Sequence, residues 1–174
     1  MTLFRNCYRV ESARLQHWDY RSGCYHVTVN TREGKHWFGT VRHGQMYLSR
    51  AGEIVVEEWL RSAQLRSNIL LDRFQVMPNH FHGLISILPQ ASGSVVSADL
   101  HQKRKPARLY PDSLGSVVGQ FKGACTARIR KEVNSSFQWQ ERFRDQVVHN
   151  EKQLNELKEY IGLNPRRWEM KRRS

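Results

Sequence analysis

The sequence predicts an α+β fold, an antiparallel sheet of ferredoxin-like type with helices packed on one face. Three observations carry that expectation. Strand-like stretches come in pairs joined by short turns, which marks hairpins. Stretches with apolar residues at helical spacing lie between the pairs and after them. The 174 residues are 39% hydrophobic with five tryptophans, enough to bury a real core, and are most simply one domain spanning 1–174.

In chain order, residues 1–20 are polar and basic without a period, and read as a loose arm. Over Cys24–Thr31, Tyr25, Val27 and Val29 alternate with polar residues as in a half-buried strand. Trp37–Thr40 and Gln45–Leu48 flank Arg42-His43-Gly44, a hairpin with Gly44 in the turn. Glu53–Arg66 places Ile54, Val55, Trp59, Leu60 and Ala63 at helical spacing. Leu70–Met77 and His80–Leu88 read as two strands joined tightly at Pro78-Asn79.

Pro89–Pro111 breaks the pattern. It carries three of the chain's five prolines and the run Lys103-Arg104-Lys105-Pro106-Ala107-Arg108, a flexible basic loop. Leu114–Val133 returns to helical spacing, with Val117, Val118, Phe121, Ala124, Cys125 and Ile129 inward and Lys122, Arg128, Arg130 and Lys131 outward. Phe137–Val148 is aromatic and basic with weak periodicity. Glu151–Leu163 is a final helix with Asn150 as N-cap, stopped by Asn164-Pro165. A basic tail, Arg166–Ser174, follows.

Lys and Arg number 28 against 16 Asp and Glu, a net charge of +12 that calls for a polyanionic partner, most often nucleic acid. The three cysteines, Cys7, Cys24 and Cys125, form no CxxC and fit a reducing compartment. The chain opens on no apolar signal region, and nothing approaches the ~18 apolar residues of a membrane span. A cytoplasmic protein without a membrane partner is expected.

The strongest local feature is Met77-Pro78-Asn79-His80-Phe81-His82-Gly83. Side chains at i and i+2 of a strand share a face, roughly 6.6 Å apart along the backbone. His80 and His82 can therefore converge on one metal ion while Phe81 turns into the core. Two imidazoles suit divalent transition metals and leave positions open for phosphate oxygens and water. In the final helix, Tyr160 and Asn164 lie one turn apart on the flank of the stripe formed by Leu154, Leu157 and Ile161. Taken alone, Tyr160 reads first as a packing residue with a wet tip, and Asn164 as a helix-ending residue.

The ordered series Val76-Met77-Pro78-Asn79-His80-Phe81-His82-Gly83, Trp139-Gln140 with Arg142-Phe143, Asn150-Glu151, and Glu159-Tyr160-Ile161-Gly162-Leu163-Asn164-Pro165 resembles the signature of the REP-associated tyrosine transposases. These belong to the wider HUH superfamily. The resemblance runs from about Tyr20 to Trp168. It implies a ferredoxin-like sheet, His80 and His82 as the metal-binding pair, Asn164 as third metal-side ligand and Tyr160 as nucleophile. It further implies metal-dependent cleavage and rejoining of single-stranded DNA beside palindromic repeats that form hairpins, through a 5′-phosphotyrosine, by a monomer or homodimer. Mg²⁺ or Mn²⁺ is the expected ion. One departure is Gln146, where relatives often carry His; it keeps a second expectation open, a catalytically silent DNA-hairpin binding protein. A third expectation is a hydrolytic metallonuclease.

DNA contacts are expected from Lys103, Arg104, Lys105 and Arg108 of the basic loop, from Lys122 and Arg128, and from Arg166 and Arg167 of the tail, chiefly to phosphates. Trp139, Phe143 and Trp168 are candidates for stacking on unpaired bases, with closure of the core the stronger reading for Trp139.

Overall fold

In the computed structural model, the described residues are 20–89 and 113–173, together with the two-residue strands β1 (Leu3–Phe4) and β2 (Cys7–Tyr8), which pair antiparallel. Lys103, Arg104, Lys105 and Arg108, with the rest of the expected basic loop, lie outside the described residues. So does most of the expected N-terminal arm.

The main sheet holds four strands. β3 (Gly23–Asn30) pairs with β7 (His80–Ile87) on one side and β8 (Arg144–Val148) on the other, and β6 (Ile69–Met77) completes the order β6-β7-β3-β8, all antiparallel. The first strand of this sheet is central, beside the third and fourth: the ferredoxin-like arrangement the element order predicted. A separate hairpin, β4 (Gly39–Arg42) and β5 (Gln45–Leu48), is inserted after β3. Its turn residues His43 and Gly44 have φ of 51° and 68°. Two consecutive positive φ values define the mirror-image turn that matches strand twist, and glycine fits it without strain.

β3 and β7 present Tyr25, Val27, Val29, Phe81, Ile85 and Ile87 to one face, all buried. Against that face pack α1 (Arg50–Gln64) and α2 (Leu114–Glu132). Trp59 of α1 lies 4.7 Å from Phe81 and 5.2 Å from Phe121 of α2, ring centre to ring centre, in tilted and edge-on contacts. Ser49 caps α1 and Ser113 caps α2, each accepting from the amide three residues on. Leu60, expected in the core, is exposed on α1.

Arg128, an expected DNA contact, is partly exposed, and its guanidinium is held by Glu58 at 2.8 Å, Glu57 at 2.6 Å and Glu132 at 3.2 Å, bridging α2 to α1. Buried Glu58 (4% exposed) needs such a partner, and α2 supplies it.

The third helix, α3 (Glu151–Arg173), lies on the opposite face of the sheet. It begins as expected: Asn150 Oδ1 accepts from the Gln153 amide at 2.8 Å, and Gln153 Oε1 accepts from the His149 amide at 2.9 Å. It does not stop at Asn164-Pro165, and the expected tail is helical to Arg173. Pro165 has no amide hydrogen, so one intrahelical bond is missing, but tertiary contacts hold the next turns. Glu169 accepts from the turn amides of His43 (3.2 Å) and Gly44 (2.7 Å), and Trp168 packs on His36 and His80.

Candidate active site

Alternation along β3 and β7 sends His26, Thr28, His80 and His82 to the face away from the core, where α3 covers them. Thr28 and His82 are directly opposed in the β3–β7 ladder, and His26 and Gln146 in the β3–β8 ladder. The His80 and His82 rings stand edge-on, 4.8 Å apart. Tyr160 stands edge-on to His82 at 5.7 Å and to His26 at 6.3 Å between ring centres. Tyr160 of the final helix thus meets the ring of His82, with His26 beside it as a further ring.

Two contacts seat α3 beside Tyr160. Lys158 pairs with Asp72 of β6 at 2.7 Å. Gly162 lies against the end of the Arg73 side chain, where a Cβ would sit 2.7 Å from a guanidinium nitrogen and push the guanidinium aside. The register of β6 shifts between Leu71 and Phe74, which places Asp72 and Arg73 at the irregularity beneath the helix.

The polar partners define which nitrogens remain open. His80 Nδ1 is 2.7 Å from Asn79 Oδ1. His82 Nδ1 is 3.1 Å from His26 Nε2 and 3.0 Å from Thr28 Oγ1. In both rings Nδ1 is engaged and Nε2 is the nitrogen left for a ligand. Burial pushes His80 down from the ordinary 6.5 to about 4; burial, with the neighbouring His80 and His26, takes His82 to about 3. Both are neutral at physiological pH, the form that binds metal.

Asn164 is 9% exposed, and its Nδ2 has no hydrogen-bond partner among the described residues. Two neutral imidazoles with engaged Nδ1 atoms fit an open site for a hard or borderline divalent ion, to which Asn164 can offer only its carbonyl oxygen, since the unpartnered Nδ2 is a donor. No group of three or more His, Cys, Asp or Glu able to close around a metal occurs among the described residues. His26 does not add a ligand there, because its Nε2 faces His82.

The basic candidates separate. Arg167 lies over the Tyr160 ring, its guanidinium carbon 5.4 Å from the ring centre. Arg166 is exposed on the preceding position of α3 and packs against Gly44. Lys122 is on α2, across the sheet from the imidazoles, donating to the carbonyls of Gln140 (2.8 Å) and Arg142 (2.7 Å); burial lowers its pKa. Trp139 is buried with its indole donating to the Lys122 carbonyl at 3.2 Å, and Phe143 is partly buried against the same core. Of the three aromatic candidates, Trp168 alone joins the site, 5.7 Å from His80.

Sequence reasoning missed His26, His36, Arg73 and Glu169. His26 sits in a strand read only for its apolar alternation, and a polar residue on the off-core phase looks solvent-facing until α3 is placed over it. For the others, the available signal was proximity to the bulge and the hairpin turn, which arises only in three dimensions.

No family model matches the chain. Among solved structures, the REP-associated tyrosine transposase bound to a REP hairpin superposes with a TM-score of 0.57 and 18% identity, covering 88% of this chain and 73% of that one. The chain has the fold of the REP-associated tyrosine transposases. A protein of Haemophilus influenzae, itself uncharacterised, is 32% identical over 160 residues, 91% of this chain and 89% of the relative. This chain belongs to the same family as that protein. No helix among the described residues is long and apolar enough to cross a membrane.

Proposed function

We propose that the protein cleaves and rejoins single-stranded DNA at hairpin-forming repeats, with Tyr160 as nucleophile. The observation that carries this reading is the position of Tyr160, whose ring edge meets His82 at 5.7 Å on the face where the two Nε2 atoms are open. Tyr160 is 37% exposed, so a phosphodiester can reach its hydroxyl.

The phenol loses its proton as its oxygen attacks phosphorus, the P–O3′ bond breaks, and the departing 3′-oxygen takes up a proton, leaving a 5′-phosphotyrosine and a free 3′-hydroxyl. The phosphodiester energy is retained in the tyrosyl link, so rejoining by a 3′-hydroxyl needs no nucleotide cofactor. His80, His82 and the Asn164 carbonyl oxygen would hold a divalent ion, Mg²⁺ or Mn²⁺, which would supply positive charge to the phosphate undergoing transfer. Arg167, whose guanidinium lies over the phenol ring, would offer its N–H groups to the phosphate. Trp168, 5.5 Å from His36 and 5.7 Å from His80, offers an aromatic surface at the rim for an unpaired base. The fold of the hairpin-bound transposase supports a DNA hairpin as the partner.

The test is a denaturing-gel assay with hairpin-containing single strands and Mn²⁺. The wild type is expected to form a protein–DNA adduct, and Tyr160→Phe to form none while still binding the DNA. Unchanged cleavage by Tyr160→Phe overturns the assignment. A wild type that binds but never cuts supports the second reading, a silent hairpin-binding protein, which Gln146 in place of the expected histidine keeps in view.

A further inference from the structure

Strand register places one further cation on the face that carries the imidazoles. Gln75 of β6 is directly opposed to His82 of β7, His82 to Thr28 of β3, and Thr28 to Arg144 of β8. Directly opposed residues share a face, with Cβ atoms about 4.5–5.5 Å apart. Thr28 is on the imidazole face, its Oγ1 3.0 Å from His82 Nδ1, so Arg144 stands on that face too. The side chains form one row across the sheet, and Arg144 ends it at the edge strand.

α3 does not cover that end. It packs on β6, on β7 and on the β4–β5 hairpin, which leaves the half of the face formed by β3 and β8 beside it. Thr28 is half-buried there, and Arg144 and Gln146 are exposed. Of the strand positions on this half, Cys24, His26, Thr28, Arg144, Gln146 and Val148, Arg144 alone carries a permanent charge. Among the described residues no carboxylate pairs with its guanidinium and no acceptor bonds it. Arg128 and Lys122, by contrast, are held by carboxylates and carbonyls.

We propose that Arg144 is a phosphate-binding residue for the DNA single strand, which runs from Tyr160 across the β3–β8 half of the sheet. This rests on the reading of this face as a single-stranded DNA site. Tyr160 borders the same half, its ring edge-on to that of His26 at 6.3 Å. Two interstrand spacings, roughly 10 Å, separate β7 from β8. About three nucleotides cover that span at the ~3.4 Å rise of a stacked strand. The phosphate that Arg144 holds therefore lies close to the one attacked. A guanidinium meets a phosphate through two parallel N–H···O bonds, which fix orientation as well as adding affinity. Carried on a strand of the sheet, Arg144 sets which phosphate the phenol meets, as a positioning residue.

The test measures single-strand binding by the Tyr160→Phe protein, which leaves the DNA uncut, with and without Arg144→Ala. Arg144→Ala is expected to weaken binding roughly 10-fold and to lower the slope of log K against log salt by about 0.7. Arg144→Lys, which keeps the charge, is expected to restore the slope, and Lys131→Ala, at an exposed position of α2, to leave it unchanged. In a second arm each phosphate in turn is exchanged for an uncharged methylphosphonate. At one position, within about three nucleotides of the cut, the exchange is expected to weaken binding when Arg144 is present and to cost the Arg144→Ala protein nothing further. If Arg144→Ala keeps both affinity and slope, or if every exchange costs the two proteins equally, Arg144 does not hold the strand. A contact located in this way, in a protein whose Tyr160 form makes no DNA adduct, upholds the Arg144 site and sinks the transposase reading. An adduct with no Arg144 effect does the reverse.

Discussion

His80, half-buried, and His82, buried, both sit uncharged beneath α3, and that has a thermodynamic consequence. Their pKa values in the folded chain, about 4 and about 3, lie below the ordinary 6.5. As pH falls through 6.5, the unfolded chain takes up protons that the folded chain refuses. Stability is therefore full above about pH 6.5, falls as pH drops toward 4, and levels off below the folded values. The urea midpoint of the metal-free protein is expected to decline steadily between about pH 7 and pH 4.5, and His82→Asn to flatten part of that decline. A midpoint independent of pH over this range contradicts the burial argument. At this scale, His80 and His82 were legible because their spacing places them on one strand face, whereas Tyr160 and Asn164, on one helix flank, were singled out only by the family resemblance. His26 was not, since its neighbours come from β7, β8 and α3, three elements distant in sequence.

Among the elements, α1 and α2 are joined by charge as well as by Trp59 and Phe121. Glu58 is 4% exposed and Arg128 30% exposed; Arg61, the other cation near Glu58, stands at 3.9 Å. Removing Arg128 leaves a buried carboxylate with only that longer pairing. Loss of one partner from a fully buried pair costs about 3–5 kcal/mol; partial exposure of Arg128 puts Arg128→Ala nearer ~2 kcal/mol, read as a lower denaturant midpoint. Its DNA affinity at a temperature where it stays folded is expected to match the wild type. A marked drop in affinity returns Arg128 to the DNA surface. The sequence could not separate these roles, because a basic residue on the outer side of a helix looks the same whether water or another helix faces it. The end of α3 was misjudged for a related reason. Proline removes one backbone bond wherever it stands, but Glu169 and Trp168 anchor the following turns on the hairpin and on His80.

Over the whole molecule, the surplus of +12 is not spread evenly in function. Arg166 and Arg167 lie on the helix that carries Tyr160, whereas Arg128 and Lys122 are held by carboxylates and carbonyls on the other side of the sheet. Binding of single-stranded DNA is expected to weaken steeply between about 50 and 200 mM salt. Replacing Arg166 or Arg167 by Ala should lower the slope of log K against log salt by roughly 0.7 for each phosphate that is no longer neutralised, and replacing Arg128 should leave it unchanged. A flat salt response, or equal slopes for all three variants, contradicts this division of the two faces. The same architecture was readable in outline from hairpins alternating with helices, but the allocation of charge to faces follows from the sheet order alone.

The grip of Glu169 on the two turn amides of the β4–β5 hairpin bears on how this chain tolerates change. Exposed hairpin tips are ordinarily where length variation, tags and grafted peptides are accepted. Here the tip is a mooring point for the segment that carries Trp168 against the imidazoles. Lengthening it by a few residues is expected to break the Glu169 contacts that hold the far end of α3, which makes other surface positions the better choice for labelling or fusion.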